Sequence, residues 1–187
     1  MDHLRTGRFG RITKNIIYNG FEEHLDVILG DSMEYIRMGK KEKAGYIRSV
    51  IERMERYMGK DNVKKVMSDC GRQCCGKSWT DFIDGIHCAS KDINDFFELL
   101  NIEEKNYGTE FVFLQENNMI VIERSRCLCG LVEKARYKHE NRNYCECSTG
   151  HFREFLGKVF TVEDILLKQS ILCGADKCVW EVKIVEI

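Results

Sequence analysis

The sequence predicts an α+β protein, with a helical N-terminal half packed on an antiparallel sheet built from two β-hairpins flanking a short helix. Three observations carry that expectation. Apolar residues recur at three- and four-residue steps through much of the first hundred positions. Short runs rich in Phe, Val and Ile then flank Asn117-Asn118. At the end of the chain Trp180, Val182 and Ile184 alternate with Glu181 and Lys183, the period of a half-buried strand.

Taken in order, Phe21–Met38 reads as helical with a weak stripe. Between Lys43 and Met58, Ile47, Val50, Ile51, Met54 and Met58 form one apolar face. Gly59 ends that pattern, and Asp61 is placed to cap the next helix through its orphan amide groups. That helix carries Val63, Val66, Met67, Cys70 and Cys74 on one side, and Gly71 and Gly76 predict its end there. A third helix follows Ser90 or Asp92, with Ile93, Phe96, Phe97 and Leu100 at helical spacing. Glu110–Glu116 and Met119–Ser125 form a hairpin, because asparagine tolerates the positive φ of a tight turn. Gly150–Gly157 is a short helix, Val159–Leu172 is extended, Gly174–Lys177 turns, and Val179–Ile187 is the last strand. The chain therefore divides into a helical region, 1–106, and an α+β region, 107–187, expected to form one compact unit.

With 43% hydrophobic and 32% charged residues, the 187-residue chain has the composition of a folded protein. Its 29 basic and 30 acidic residues leave a net charge of -1, which argues against a chain-wide polyanion-binding design. The first fifteen residues lack the apolar core of a secretory signal, and no run is long and apolar enough to span a membrane. The expectation is a cytoplasmic protein with no membrane partner. In a reducing compartment, ten cysteines read as metal ligands or working thiols before disulfides. The absence of proline fits continuous helices and strands turned by Gly and Asn, and points to no function.

Four cysteines form the pairs Cys127-x-Cys129 and Cys145-x-Cys147, with residues 130–144 between them. Two thiols two apart on extended backbone project to one side, and a returning pair completes a tetrahedron of sulfurs. Zinc is the expected occupant; an iron–sulfur cluster takes four thiolates as well. The spacing is similar to that of zinc knuckles, which use C-x2-C. Half-buried thiols on adjacent strands, or a redox pair, are the competing readings. Cys70, Cys74 and Cys75 form a second group that would add ligands or thiols, with core packing as its plainer explanation. Cys173 and Cys178 bracket the last turn; their plainer reading is structural, and Cys178 is a further candidate metal ligand or working thiol. His151, close to Cys147, is a candidate ligand or base for a thiol, and His87 beside Cys88 is a weaker one. Phosphate-loop, dinucleotide, nucleophile-elbow and HExxH signatures are absent from the sequence. Arg124, Arg126, Lys134, Arg136, Lys138 and Arg142, interleaved with Tyr137 and Tyr144, make a basic loop that would touch phosphates.

The run Cys147-x-x-Gly150, Glu163 and Gly174-x-Asp176-x-Cys178-x-Trp180 resembles the vinyl-reductase (4-vinyl reductase) domain. It is also similar to cysteine-rich bacterial proteins in which YCxCSxG precedes a G-x-D-x-C turn, and to amino-thiazoline-carboxylate hydrolase-like proteins. The resemblance covers about residues 107–187. It implies an antiparallel sheet under helices, a cavity for small and mostly apolar molecules, and cysteines of the motif near that cavity. The chain departs from the pattern where Ser170 stands near a common cysteine position, with Cys173 offset. Phe111, Phe113, Phe152, Phe155 and Trp180 are the expected cavity walls, although aromatics so placed also serve simply as core.

The favoured expectation is a small-molecule sensor or carrier with a cysteine-rich, zinc-binding site. The first alternative is a thiol-dependent hydrolase or reductase with Cys147 as nucleophile. The second is a zinc-stabilised nucleic-acid-binding protein using loop 124–142. Oligomeric state is open, a homodimer included.

Overall fold

The helical stripes close on one another and the two hairpins close on a single sheet. The computed structural model of the chain describes residues 7–30, 32, 34–128 and 142–185. Helix α1 spans Gly7–Tyr18 and α2 spans Leu25–Leu29. Then come α3 (Lys40–Met58), α4 (Lys60–Cys74), α5 (Lys77–Ala89) and α6 (Ile93–Glu104). Strands β1 (Thr109–Leu114) and β2 (Met119–Arg124) follow, then α7 (Glu146–Leu156), β3 (Val162–Gln169) and β4 (Cys178–Ile184). The fold class is α+β.

Local chemistry sets several boundaries. Gly59, at φ +79°, turns the chain between α3 and α4, a left-handed position that suits glycine. It also takes the N-cap place that the sequence suggests for Asp61, which lies in the first turn of α4 and makes no cap there. Asp92 is the cap of α6, its carboxylate accepting from the amides of Asn94 and Asp95 at 2.9 and 3.0 Å. Asn118 alone of the two asparagines turns left-handed, at φ +47°, to close the β1–β2 hairpin. Among the described residues between Phe21 and Met38, the helical content is one short helix and two single 3-10 turns. Helices α1 and α5 have no specific sequence expectation above, yet both carry buried stripes: Phe9, Ile12 and Ile16 on α1, and Ile83 and Ile86 on α5.

The sheet order is β1-β2-β4-β3, with each neighbouring pair antiparallel. The two hairpins thus join through β2 and β4, where Ile122 pairs with Trp180 and Ile120 with Val182. One face of this sheet is buried. It carries Phe111, Ile120, Ile122, Ile165, Leu167, Trp180 and Val182, against Phe96, Leu100, Phe152 and Phe155 of the helices. A second core fills the helical half, where Ile12, Ile16, Val50, Met54, Val66 and Met67 meet.

Helix α7 ties the two cores together. It rests on the sheet by Phe152, Phe155 and Leu156 and crosses α4 on its other side. The crossing is backbone to backbone. A Cβ on Gly71 would fall 1.8 Å from the Cys147 carbonyl oxygen, and one on Gly150 would fall 1.8 Å from that of Ser68. Neither glycine ends a helix: Gly71 lies within α4 and Gly150 within α7, where each lets the partner backbone approach. Among the described residues, no helix is long and apolar enough to cross a membrane.

Candidate functional site

A cavity of about 240 Å³ opens where the two cores meet, beside the α4–α7 crossing. Six cysteines line it: Cys70 and Cys74 from α4, Cys127 just past β2, Cys145 and Cys147 around the start of α7, and Cys178 at the start of β4. Four elements distant in sequence thus converge on one space. Of the four cysteines expected to hold zinc, Cys127, Cys145 and Cys147 line the cavity, and Cys129 lies outside the described residues. Among the described residues, no group of three or more His, Cys, Asp or Glu side chains is arranged to hold a metal ion.

The geometry of the second pair departs from the expectation of extended backbone. Cys145 ends a 3-10 turn, Arg142–Cys145, and Cys147 sits in the first turn of α7. The helix starts four residues before Gly150 because Glu146 and Thr149 continue its buried face, and an acidic residue suits the first turn. The Cys145 sulfur lies 3.2 Å from the hydroxyl of buried Ser170. Ser170 also accepts from the Leu172 amide, and Cys178 accepts from the Ile171 amide at 3.3 Å. One turn after β3 therefore holds both Cys145 and Cys178. On the opposite wall, Asn15 donates to the Cys70 sulfur at 3.3 Å and Arg11 to Cys74 at 3.5 Å.

Burial dominates the electrostatics of these thiols. It pushes Cys70 up to about 12, raises Cys145 well above the usual thiol range and raises Cys178 as well, so all three thiols favour the protonated form. Cys75 does not reach the cavity. It packs in the sheet-side core, and burial raises it to about 11.

Among the expected wall residues, Phe152, Phe155 and Trp180 line the cavity. Phe111 is buried behind them, its ring 6.1 Å from that of Phe152. Phe113 faces away, toward a different cavity shared with Phe96 and Phe160. The reason is register: β1 turns Phe111 toward α7, while Phe113, two residues on, reaches past it to stack on Phe97 at 5.5 Å. Trp79 of α5 completes the wall, its ring 5.6 Å from the His151 imidazole. His151 lies one helical turn after Cys147, so the two share a face of α7, and both line the cavity. Burial, reinforced by the charge of Arg124, lowers its pKa to about 4, leaving the imidazole neutral at pH 7.

Arg124 is the residue that the motif-based reading misplaces. It is the first of the six basic residues assigned to the loop, yet it continues the inward set Ile120, Ile122, Arg124 on β2 and lines the cavity. Its Nε donates to the Thr109 hydroxyl at 3.0 Å, and its guanidinium lies 4.9 Å from the Phe152 ring centre. Arg126 is also used internally, donating to the carbonyls of Asn106 and Tyr107. Tyr144 is buried. Arg124 and Tyr144 thus face inward, whereas Arg126 and Arg142 are exposed; Lys134, Arg136, Tyr137 and Lys138 lie outside the described residues. Glu104, at the end of α6, is 4% exposed, and burial raises its carboxyl above the usual range. Cys88 and Cys173 are exposed and stand apart from the cavity lining, as does exposed His87. Comparison with curated proteins returns no match. The model of DUF6144, a family of unknown function, matches residues 8–186, and the chain belongs to that family.

Proposed function

We propose that the protein is a small-molecule sensor or carrier whose ligand occupies the cavity between the two cores. The observation that carries this reading is convergence: six of the ten cysteines, both tryptophans, one arginine of β2 and a neutral histidine face one space. Packing alone does not require such a set. At about 240 Å³ the space is below the roughly 300–1,000 Å³ of drug-sized sites, so the ligand is small. The resemblance of residues 107–187 to vinyl-reductase domains, which implies such a cavity, points the same way.

A ligand-observed NMR screen of small fragments tests the proposal. Binding that disappears in Ser148→Phe, which fills the cavity from α7, supports it. Binding indifferent to that substitution contradicts it. Zinc belongs to the same proposal through Cys127, Cys129, Cys145 and Cys147, supported by their paired spacing. Zinc analysis of the purified chain decides this part: a stoichiometric content supports it, and a content near zero removes it.

A second reading, a thiol-dependent enzyme, is favoured by one observation. Cys147 and His151 share a face of α7 in the cavity, which puts an imidazole beside a thiol. One fast-alkylating cysteine, slowed by His151→Gln, would support the enzyme.

A further inference from the structure

The ligand class can be narrowed from the one cation that the sheet directs into the cavity. The first relevant fact is position. Arg124 is the last inward residue of β2 and pairs across the sheet with Thr109, whose hydroxyl holds its Nε. The rings of Phe152 and Trp180, at 4.9 and 6.0 Å, fix the guanidinium from the side. The second fact is what this arrangement leaves over. The terminal Nη donors make no hydrogen bond among the described residues, and no carboxylate there lies within 4.0 Å of them.

The third fact is the balance of charge around Arg124: the facing His151 imidazole is neutral, and no carboxylate among the described residues is paired with the guanidinium. Glu104 is the opposite charge acting on Arg124 most strongly, and its own burial favours the uncharged acid. A desolvated guanidinium with open donors is costly unless an anion meets it. The rest of the wall is mostly sulfur and aromatic carbon, with Arg11 and Ser148 among its polar members.

Resting on the cavity reading above, we infer that the ligand is a small carboxylic acid with an apolar body, its carboxylate held by the fork of Arg124. A guanidinium presents paired donors at the spacing of the two carboxylate oxygens. The apolar body lies against Trp79, Phe155 and Trp180. A phosphate is a poorer fit: its second charge would be met only by Arg11, which is engaged with Cys74 across the cavity. Glu104 is the internal competitor for the same guanidinium.

The test compares cyclohexanecarboxylate with cyclohexanecarboxamide, which have the same shape and differ in charge. Trp79 and Trp180 are the chain's two tryptophans and both line the cavity, so intrinsic fluorescence reports binding. The wild type is expected to bind the acid about tenfold or more tightly than the amide, the size of a charge-assisted hydrogen bond. Arg124→Gln should erase that preference, Arg124→Lys should keep part of it, and Glu104→Gln should strengthen it. The Lys and Glu104 variants retain the test if Arg124→Gln fails to fold. Equal binding of acid and amide by the wild type would overturn the carboxylate while leaving the cavity as a binding site. A preference that survives in Arg124→Gln would overturn the role of Arg124. Binding of neither probe would remove the cavity reading and this inference together.

Discussion

Two cavities lie on the helix-covered face of the same sheet, and they differ in what meets there. The one beside the β1–β2 turn is larger, about 580 Å³, and is lined by residues such as His87, Asp92, Phe96, Phe113 and Phe160. Its polar groups serve the chain itself. Asp92 caps α6, and the His87 ring packs edge-on to Phe96 at 6.1 Å. The cavity beside the α4–α7 crossing is less than half that volume, yet it gathers six thiols, two guanidinium groups and an imidazole. The proposal of a ligand site therefore follows the convergence of side chains with unspent donors and not the volume.

The strongest way to break the contrast is to part the helices that build the smaller cavity. Gly150→Ala and Gly71→Ala each place a methyl group against a carbonyl oxygen that cannot move alone. Each should cost about 3 kcal/mol or more, read from the urea midpoint. Gly85 of α5 is the control, because nothing lies within 4 Å of a Cβ there. Gly85→Ala should stabilise by up to about 1 kcal/mol, since alanine is the better helix former. Equal loss at all three positions would contradict the crossing.

A second effect is confined to the smaller cavity and depends on pH. The folded pKa of His151 is about 4, below the ordinary value of 6.5, so the unfolded chain takes up the proton first. Its contribution is fully present above pH 6.5 and is lost as pH falls through about 4. Allowing for partial exposure, the loss is about 2 kcal/mol. His151→Phe should flatten the stability profile across that window.

The smallest effect sharpens the comparison from the opposite side. Asp92→Ala removes the cap of α6 and should cost about 1 kcal/mol. Chemical denaturation measures that loss, and alkylation rates of the cysteines at the smaller cavity should not change.

Local features were legible in the sequence, and crossings were not. Asn118, Asp92 and the alternation of β4 act within a few residues, so pattern alone found the hairpin, the cap and the last strand. The stripes of α1 and α5 were present in the same form, in Phe9, Ile12 and Ile16 and in Ile83 and Ile86. Gly71 and Gly150 read locally as helix ends, because nothing in one sequence says which backbone will lie against them. Spacing picked out Cys145 and Cys147, but their backbone is a helix start, a state that depends on the face α7 buries. The motif-centred reading placed Arg124 among loop cations; the alternation Ile120, Ile122, Arg124 was the signal that turns it inward. No spacing rule brings Cys70 and Cys74 beside Cys178, because only the α4–α7 crossing over the sheet does so.

Site-resolved alkylation by N-ethylmaleimide, with and without saturating cyclohexanecarboxylate, tests the account most directly. Half-buried Cys127 and Cys147 line the cavity, while exposed Cys88 and Cys173 stand outside it. The account predicts that the carboxylate slows the first pair by about tenfold or more, as expected for a site mostly occupied, and leaves the second pair unchanged. Rates that change equally at all four cysteines, or at none, would contradict it.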